Sequence, residues 1–258
     1  HASTPSSIPR LTLPSTSTTP LTPSTIHSIL TSIYTYGLII VRHPCPLSTF
    51  APQLTPPSHS DLYGPYFTVR SSPSPSNAAY TSSPLPLHQD LAYYDSPPGL
   101  QYLRCLRQAD EGGESYVSDA AAALQSLRPS DLKALQRLKV CYVKERAGMV
   151  SRKSVAVCDE GGHVKEVNWS PPFEGPYLGL AAGLGAEEWV ENMRARERFE
   201  ERLEEMKVGF KLEEGETLIV NNRRMVHGRG GFKGERVVEG CYGGTDEWWR
   251  VFREGVVK

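Results

Sequence analysis

Between residues 22 and 41 the apolar positions change from a helical to a strand pattern. Ile26, Ile29, Leu30 and Ile33 form a stripe with the 3.6-residue period, Thr22-Pro23-Ser24-Thr25 suits a first turn, and Gly37 predicts the stop. Leu38-Ile39-Ile40-Val41 is then a continuous apolar run, read as a buried strand. Residues 43–62 are rich in proline and predict a loop, Tyr63 to Arg70 a strand, and Ser71 to Asn77 a Ser/Pro loop. Leu85 to Asp90, Leu100 to Leu106 and Ser115 to Val117 read as strands, with a turn at Gly112-Gly113. Ala120–Ala123, Leu124, Leu127, Leu132, Leu135 and Leu138 predict a helix, and Pro129-Ser130-Asp131 divides it in two.

Val140 to Lys144 follows as a strand, and residues 148–185 read as irregular. Ala186 to Met206 predicts a charged amphipathic helix with Trp189, Met193, Leu203 and Met206 inward. Gly209 to Leu212, Thr217 to Val220 and Arg236 to Tyr242 complete the strands, and no internal repeat is visible. Many short strands with helical insertions predict a mainly β protein, a jelly-roll barrel with helices packed on one side. Residues 1–24, rich in Ser, Thr and Pro, read as a flexible arm or a segment draped over a single domain at 25–258.

Composition narrows the classes of function. With 39% hydrophobic and 22% charged residues, the 258-residue chain can bury a core. A net charge of −1 gives no reason to expect nucleic acid or an anionic membrane as partner, and no apolar run reaches membrane-span length. Five cysteines, an odd number without C-x-x-C, argue against a disulfide framework or a zinc cluster and for a reducing, cytoplasmic setting.

The candidate chemistry lies in His88-Gln89-Asp90 and in His227, within Asn222-Arg223-Arg224-Met225-Val226-His227-Gly228-Arg229. Two histidines and a carboxylate can hold one face of an octahedral Fe(II), leaving the other face for a chelating cosubstrate and O₂. Residues i and i+2 of an extended strand point to one side, so His88 and Asp90 can grip one ion, with His227 brought in by folding.

The run from Asn77 through Leu-Pro-Leu-His-Gln-Asp-Leu-Ala-Tyr-Tyr to Gly-Gly-Glu-Ser, with Asn222–Arg229 and the Arg236 to Tyr242 strand, resembles the taurine dioxygenase-like Fe(II)/2-oxoglutarate oxygenases. Within them it looks most like the branch holding gamma-butyrobetaine hydroxylase and trimethyllysine hydroxylase. The resemblance covers residues 25–258. It implies a double-stranded β-helix, with His88, Asp90 and His227 as iron ligands and with 2-oxoglutarate and O₂ as cosubstrates.

By the same resemblance, Arg236 would anchor the far carboxylate of 2-oxoglutarate, as a planar guanidinium suits a carboxylate, and Ser115 would add a hydroxyl. The stretch from His227 to Arg236 is shorter than usual in the branch, which leaves Arg229 as the alternative anchor; Arg223 and Arg224 read as surface pairing. Tyr63, Phe67, Tyr80 and Tyr242 fall where the branch builds an aromatic cage for a quaternary ammonium, and Asn77 and Asn168 where it places substrate-binding amides.

The implied reaction takes hydrogen from a C–H bond of a small amine- or carboxylate-bearing substrate. It ends in hydroxylation, desaturation or cyclisation, with succinate and CO₂ as coproducts. Asp90 excludes halogenation, which needs the carboxylate's coordination site. The alternatives are a gamma-butyrobetaine- or trimethyllysine-type hydroxylase proper, a cupin-like metalloenzyme without 2-oxoglutarate, and a non-catalytic binding protein of the same fold. Relatives in the branch are often homodimers, and the sequence carries no interface signal of its own.

Overall fold

The computed structural model describes residues 8–14, 20–58, 62–71, 78–176 and 184–256. The chain enters through β1 (Arg10–Thr12), which pairs in parallel with β2 (Leu38–Arg42), so this part of the N-terminal segment lies on the domain. Between them runs α1 (Pro23–Tyr36). The Thr22 side chain accepts from the Thr25 N–H, Pro23 sits in the first turn, and Gly37, at φ 80°, closes the helix with an N–H to the Ile33 carbonyl. The unbroken apolar run of β2 has a simple cause. Ile39 and Val41 face a core under α1, and Leu38 and Ile40 face a second core on the other side of the sheet.

Next come α2 (Leu47–Phe50), β3 (Phe67–Arg70), β4 (Leu85–His88), β5 (Leu100–Arg107), β6 (Glu111–Gly112) and β7 (Ser115–Asp119). The expected proline loop at 43–62 thus holds a helical turn, because Leu47 and Phe50 are fully buried and pin it to the α1 core. The strand expected from Tyr63 begins only at Phe67, where pairing with the C-terminal strand starts. Two helices follow as anticipated, α3 (Ala120–Gln125), capped by the Asp119 carboxylate, and α4 (Pro129–Arg137).

β8 (Lys139–Lys144), β9 (Met149–Ser154), β10 (Ala156–Cys158) and β11 (Val164–Val167) form two small antiparallel pairs. The irregular region expected at 148–185 therefore contains three strands. Exposed Val150 and Val157 and buried Ser151 hide the alternation, while Val155, Ala156, Val167 and Trp169 bury one side against α3–α4 and α5 (Ala186–Glu205). The buried face of α5 is Asn192, Ala195, Phe199 and Leu203; of the residues expected inward, Leu203 is fully buried and Trp189, Met193 and Met206 pack half-buried against the same core.

The last elements are β12 (Val208–Phe210), β13 (Glu216–Asn221), β14 (Met225–Arg229), β15 (Phe232–Lys233), β16 (Val237–Gly243) and α6 (Thr245–Val256). The sequence reading passed over α6, which brings Trp248 into the α1 core. A six-stranded sheet in the order β1-β2-β13-β5-β16-β3 shares its inner core with a four-stranded sheet in the order β12-β7-β14-β4. The fold is mainly β with helices outside. No helix among the described residues is long and apolar enough to cross a membrane.

Asn192 is fully buried, yet neither polar atom of its amide has a hydrogen-bond partner among the described residues. A buried unsatisfied polar group costs about 1–3 kcal/mol. Asn192→Leu, with the same branching and the same number of side-chain heavy atoms, is expected to raise the midpoint of thermal or urea unfolding. An unchanged or lower midpoint would show that this amide is satisfied.

Candidate metal centre

The site is assembled by strand register. β14 lies between β7 and β4, with His227 opposite His88 on one side and Val117 on the other. The two imidazoles are 4.4 Å apart, centroid to centroid. Asp90 lies just past the end of β4, in a turn rather than in the strand, but its carboxylate returns to the same side, with Oδ1 3.3 Å from His88 Nε2. One ligand atom from each of the three residues lies within 4.8 Å of the others.

The protonation states suit a divalent metal. His88 Nδ1 donates to the Pro86 carbonyl at 2.9 Å, which fixes the ring with Nε2 toward Asp90. Burial, then the neighbouring His88, pushes His227 down to about 4. Burial alone would raise Asp90, but the hydrogen bond and charge of His88, the charge of His227 and the Tyr242 hydroxyl outweigh it and hold the carboxyl at about 2. At neutral pH the set is therefore one carboxylate and neutral His227 beside His88. Asp90 Oδ2 is held by two donors, the Tyr242 hydroxyl at 2.8 Å and the Gln101 amide, leaving Oδ1 for an ion.

Asn222 is the residue that sequence reasoning passed over. Its side chain accepts from the Asp90 N–H at 3.0 Å and donates to the Asp90 carbonyl at 3.0 Å, as a neighbouring strand would. Gln89 donates to the Asn222 carbonyl at 2.6 Å, accepts from the Trp169 N–H at 2.9 Å, and is fully buried. Leu91, next to Asp90, sits at φ 57°, a left-handed conformation costing about 1–2 kcal/mol for a residue with a branched side chain. The turn it makes directs Tyr93 to the metal side. Asn222 was visible as part of a motif; its role was not, because only folding shows which backbone it meets.

On one side of the triad lies a cavity of about 580 Å³, open mouth included, whose walls include His88, Asp90, His227, Ser115, Arg229 and Arg236. Arg236 directly precedes β16, and no ion pair to it forms among the described residues; Glu235 beside it is taken by Arg70 and Arg107. Burial lowers the Arg236 guanidinium from its ordinary range. Arg229, the alternative anchor, is already engaged, donating to the carbonyls of Ala79, Thr81 and Ser83, and burial and then the charge of Arg236 lower it to about 10. Arg223 pairs with Glu166, in keeping with the expectation. Arg224 departs from it, since its partner Asp119 is 2% exposed, which makes the pair an internal tie.

On the other side is a cavity of about 520 Å³, open mouth included. Tyr63, Phe67, Tyr80 and Tyr242 meet there, joined by Tyr93 and Phe173, which sequence reasoning missed. Tyr93 stood in the Leu-Ala-Tyr-Tyr run after Asp90 and could have been suspected; Phe173 carries no local signal. The Tyr63 and Tyr93 hydroxyls are 3.3 Å apart, and burial raises Tyr80, with Tyr63 and Asp90 adding to it. Gly240 admits the Phe67 ring, since a Cβ there would collide with it. Asn168 is not in either cavity. It donates to the Ser154 carbonyl at 3.0 Å and is buried behind the site, because its strand ties the two small sheets to the domain. Asn77 lies outside the described residues.

The sequence matches the family described as "Taurine catabolism dioxygenase TauD, TfdA family" over residues 10–242, so the chain belongs to that family. It is 30% identical over 241 residues to dioxygenase str8 of Strobilurus tenacellus, covering 83% of this chain and 55% of that protein. It is 32% identical over 197 residues to gamma-butyrobetaine dioxygenase of Pseudomonas sp. (strain AK-1), covering 72% and 50%. The chain thus spans about half the length of these relatives. Its fold is similar to that of asparagine oxygenase in complex with Fe(II), 2S,3S-3-hydroxyasparagine and succinate, with TM-score 0.65, 17% identity, and 86% of this chain and 80% of that one covered.

If Tyr242 orients Asp90 through Oδ2, Tyr242→Phe should weaken Mn(II) or Co(II) binding, measured by calorimetry, by about tenfold, as loss of a hydrogen bond to a ligand does elsewhere. Tyr63→Phe, whose hydroxyl meets Tyr93 instead, should leave it unchanged. Equal affinities for Tyr242→Phe and the parent would show that Gln101 suffices.

Proposed function

We propose that the protein is an Fe(II)/2-oxoglutarate-dependent dioxygenase of double-stranded β-helix architecture. Its substrate would be a small amine-bearing molecule, amino-acid- or betaine-like. One observation carries the reading: the His88, Asp90 and His227 donors and the Arg236 guanidinium lie in a single cavity, so a keto acid can chelate at one end and leave its far carboxylate at the other. Ser115, 7% exposed on β7 in the same wall, can add a hydroxyl to that carboxylate. Two sheets around the site support the architecture. The family supports the chemistry.

When bound, Fe(II) and 2-oxoglutarate would activate O₂ with loss of CO₂ and formation of succinate, and supply an oxidant able to take hydrogen from an unactivated C–H bond. The chain's own part is placement. His88, Asp90 and His227 would hold the metal, Arg236 and Ser115 would orient the keto acid, and the aromatic wall would hold the substrate beside them. Neither Lys nor Arg is among that wall's described lining residues, and Asp90 is taken by the metal. The ring faces of Tyr63, Phe67, Tyr80 and Tyr93 therefore favour a cationic or neutral amine over a carboxylate there. This is in keeping with the gamma-butyrobetaine and trimethyllysine dioxygenases among its relatives. Five free cysteines suit a cytoplasmic setting.

Adding 2-oxoglutarate to the Fe(II)-loaded protein without oxygen should produce a weak visible charge-transfer band. No band, with iron demonstrably bound, would move the cupin-like reading to the front. Arg236→Ala should raise the 2-oxoglutarate concentration that half-develops the band by at least about tenfold, as expected for loss of a charge-assisted bidentate pair. An unchanged concentration would place the anchor elsewhere.

A further inference from the structure

Arg229 touches both sides of the site. It stands on β14 two residues after His227, opposite Ser115 in the β7 register, and it lines the same cavity as Arg236. Its Nη1 donates to the Ala79 carbonyl at 3.2 Å, and its Nη2 to those of Thr81 and Ser83 at 2.7 and 2.8 Å. These carbonyls flank Tyr80, and Ala79 and Tyr80 belong to the aromatic wall of the other cavity. The guanidinium lies over the Phe232 ring at 4.7 Å. Its Nε–H is buried and has no partner among the described residues. No ion pair to Arg229 or Arg236 forms among the described residues, although two cations in one largely buried cavity repel and a buried donor without an acceptor is costly.

We infer that Arg229 is a positioning residue with two attachments: its Nε–H shares the carboxylate held at Arg236, and its Nη atoms carry the effect of that anion to the Tyr80 segment. The inference rests on the proposed 2-oxoglutarate reading of the cavity. With the anion absent, repulsion from Arg236 works against the position from which Arg229 grips the three carbonyls. With the anion present, the repulsion is neutralised, Nε gains its acceptor, and the wall that receives the substrate is held in place. By reciprocity, a substrate packed against Tyr80 tightens the cosubstrate by the same factor. A plain structural clamp would hold the segment equally with the cavity empty or filled.

The test uses the Mn(II)-loaded protein and N-oxalylglycine, a 2-oxoglutarate analogue with NH in place of a methylene, so that no turnover intervenes. Calorimetry first establishes binding, and hydrogen exchange then follows the backbone amides of 79–83. Exchange there should slow about fivefold or more in the parent protein on binding. In Arg229→Gln the analogue should bind about tenfold more weakly, the worth of one charge-assisted hydrogen bond, and at saturation should no longer protect these amides. Binding to the parent without protection of 79–83 would reduce Arg229 to a clamp and overturn the inference while the cavity reading stands. Protection persisting in Arg229→Gln would mean that the analogue shields Ala79 directly, and would overturn it too. If the parent does not bind the analogue at all, the cavity reading falls and the inference with it. Should Arg229→Gln fail to fold, Arg229→Lys, which keeps the cation but cannot bond the three carbonyls and the anion together, takes its place, and protection of 79–83 persisting there overturns the inference.

Discussion

The Asn222 amide, bonded to both the N–H and the C=O of Asp90, is the constraint on which the site depends. Asp90 lies beyond the end of β4, where no strand pairs its backbone, and the next residue is in a left-handed conformation. Left to itself such a turn would sample many orientations of the carboxylate. Asn222 replaces the missing strand, and Gln89 locks the same turn to Trp169 and to the Asn222 backbone. Because Asn222 leads into β14, one side chain ties the turn bearing Asp90 to the strand bearing His227. The hydrogen bonds are buried, where each is costly to break, so the distance between the ligands is set by structure outside the metal.

The same economy places two cavities back to back. His88 and Asp90 line both, so anything chelated on the arginine side and anything held by the aromatic side meet at the metal. The two sides differ in character because of the strands that build them. The arginine side draws on the inner faces of β5, β7 and β14 and on the residue before β16, where the buried guanidinia form no ion pair among the described residues. The aromatic side draws on β3, the 78–80 turn and the segment after Asp90, which supply rings. Tyr242 belongs to both functions, with its ring in the aromatic wall and its hydroxyl on Asp90, and for that reason burial and the carboxylate raise it well above an ordinary phenol.

What was legible in the sequence follows from locality. The α1–β2 unit was readable because its cap, stripe, stop glycine and apolar run are all short-range. His88 and Asp90 were readable because two residues of spacing already place them together, and His227, Ser115 and Arg236 because they stand in recognisable runs. β9 to β11 were not readable, since their burial runs against residue type, with Val150 and Val157 exposed and Ser151 buried. Asn168 was expected as a pocket amide from the resemblance alone, yet its side chain turns to the Ser154 carbonyl.

The sequence by itself determined the chemical inventory: a carboxylate and two imidazoles able to hold a metal, a guanidinium able to meet an acid, a set of rings able to line a pocket. Those choices lie in side-chain chemistry, which needs no neighbour to be recognised. The tertiary structure alone decided which of two arginines is left free. It decided as well that Tyr93 and Phe173 join the wall and that Asn222 holds Asp90. Each of these depends on residues far apart in the chain meeting across a sheet register, and a one-residue slip of β14 against β4 would turn His227 away from His88.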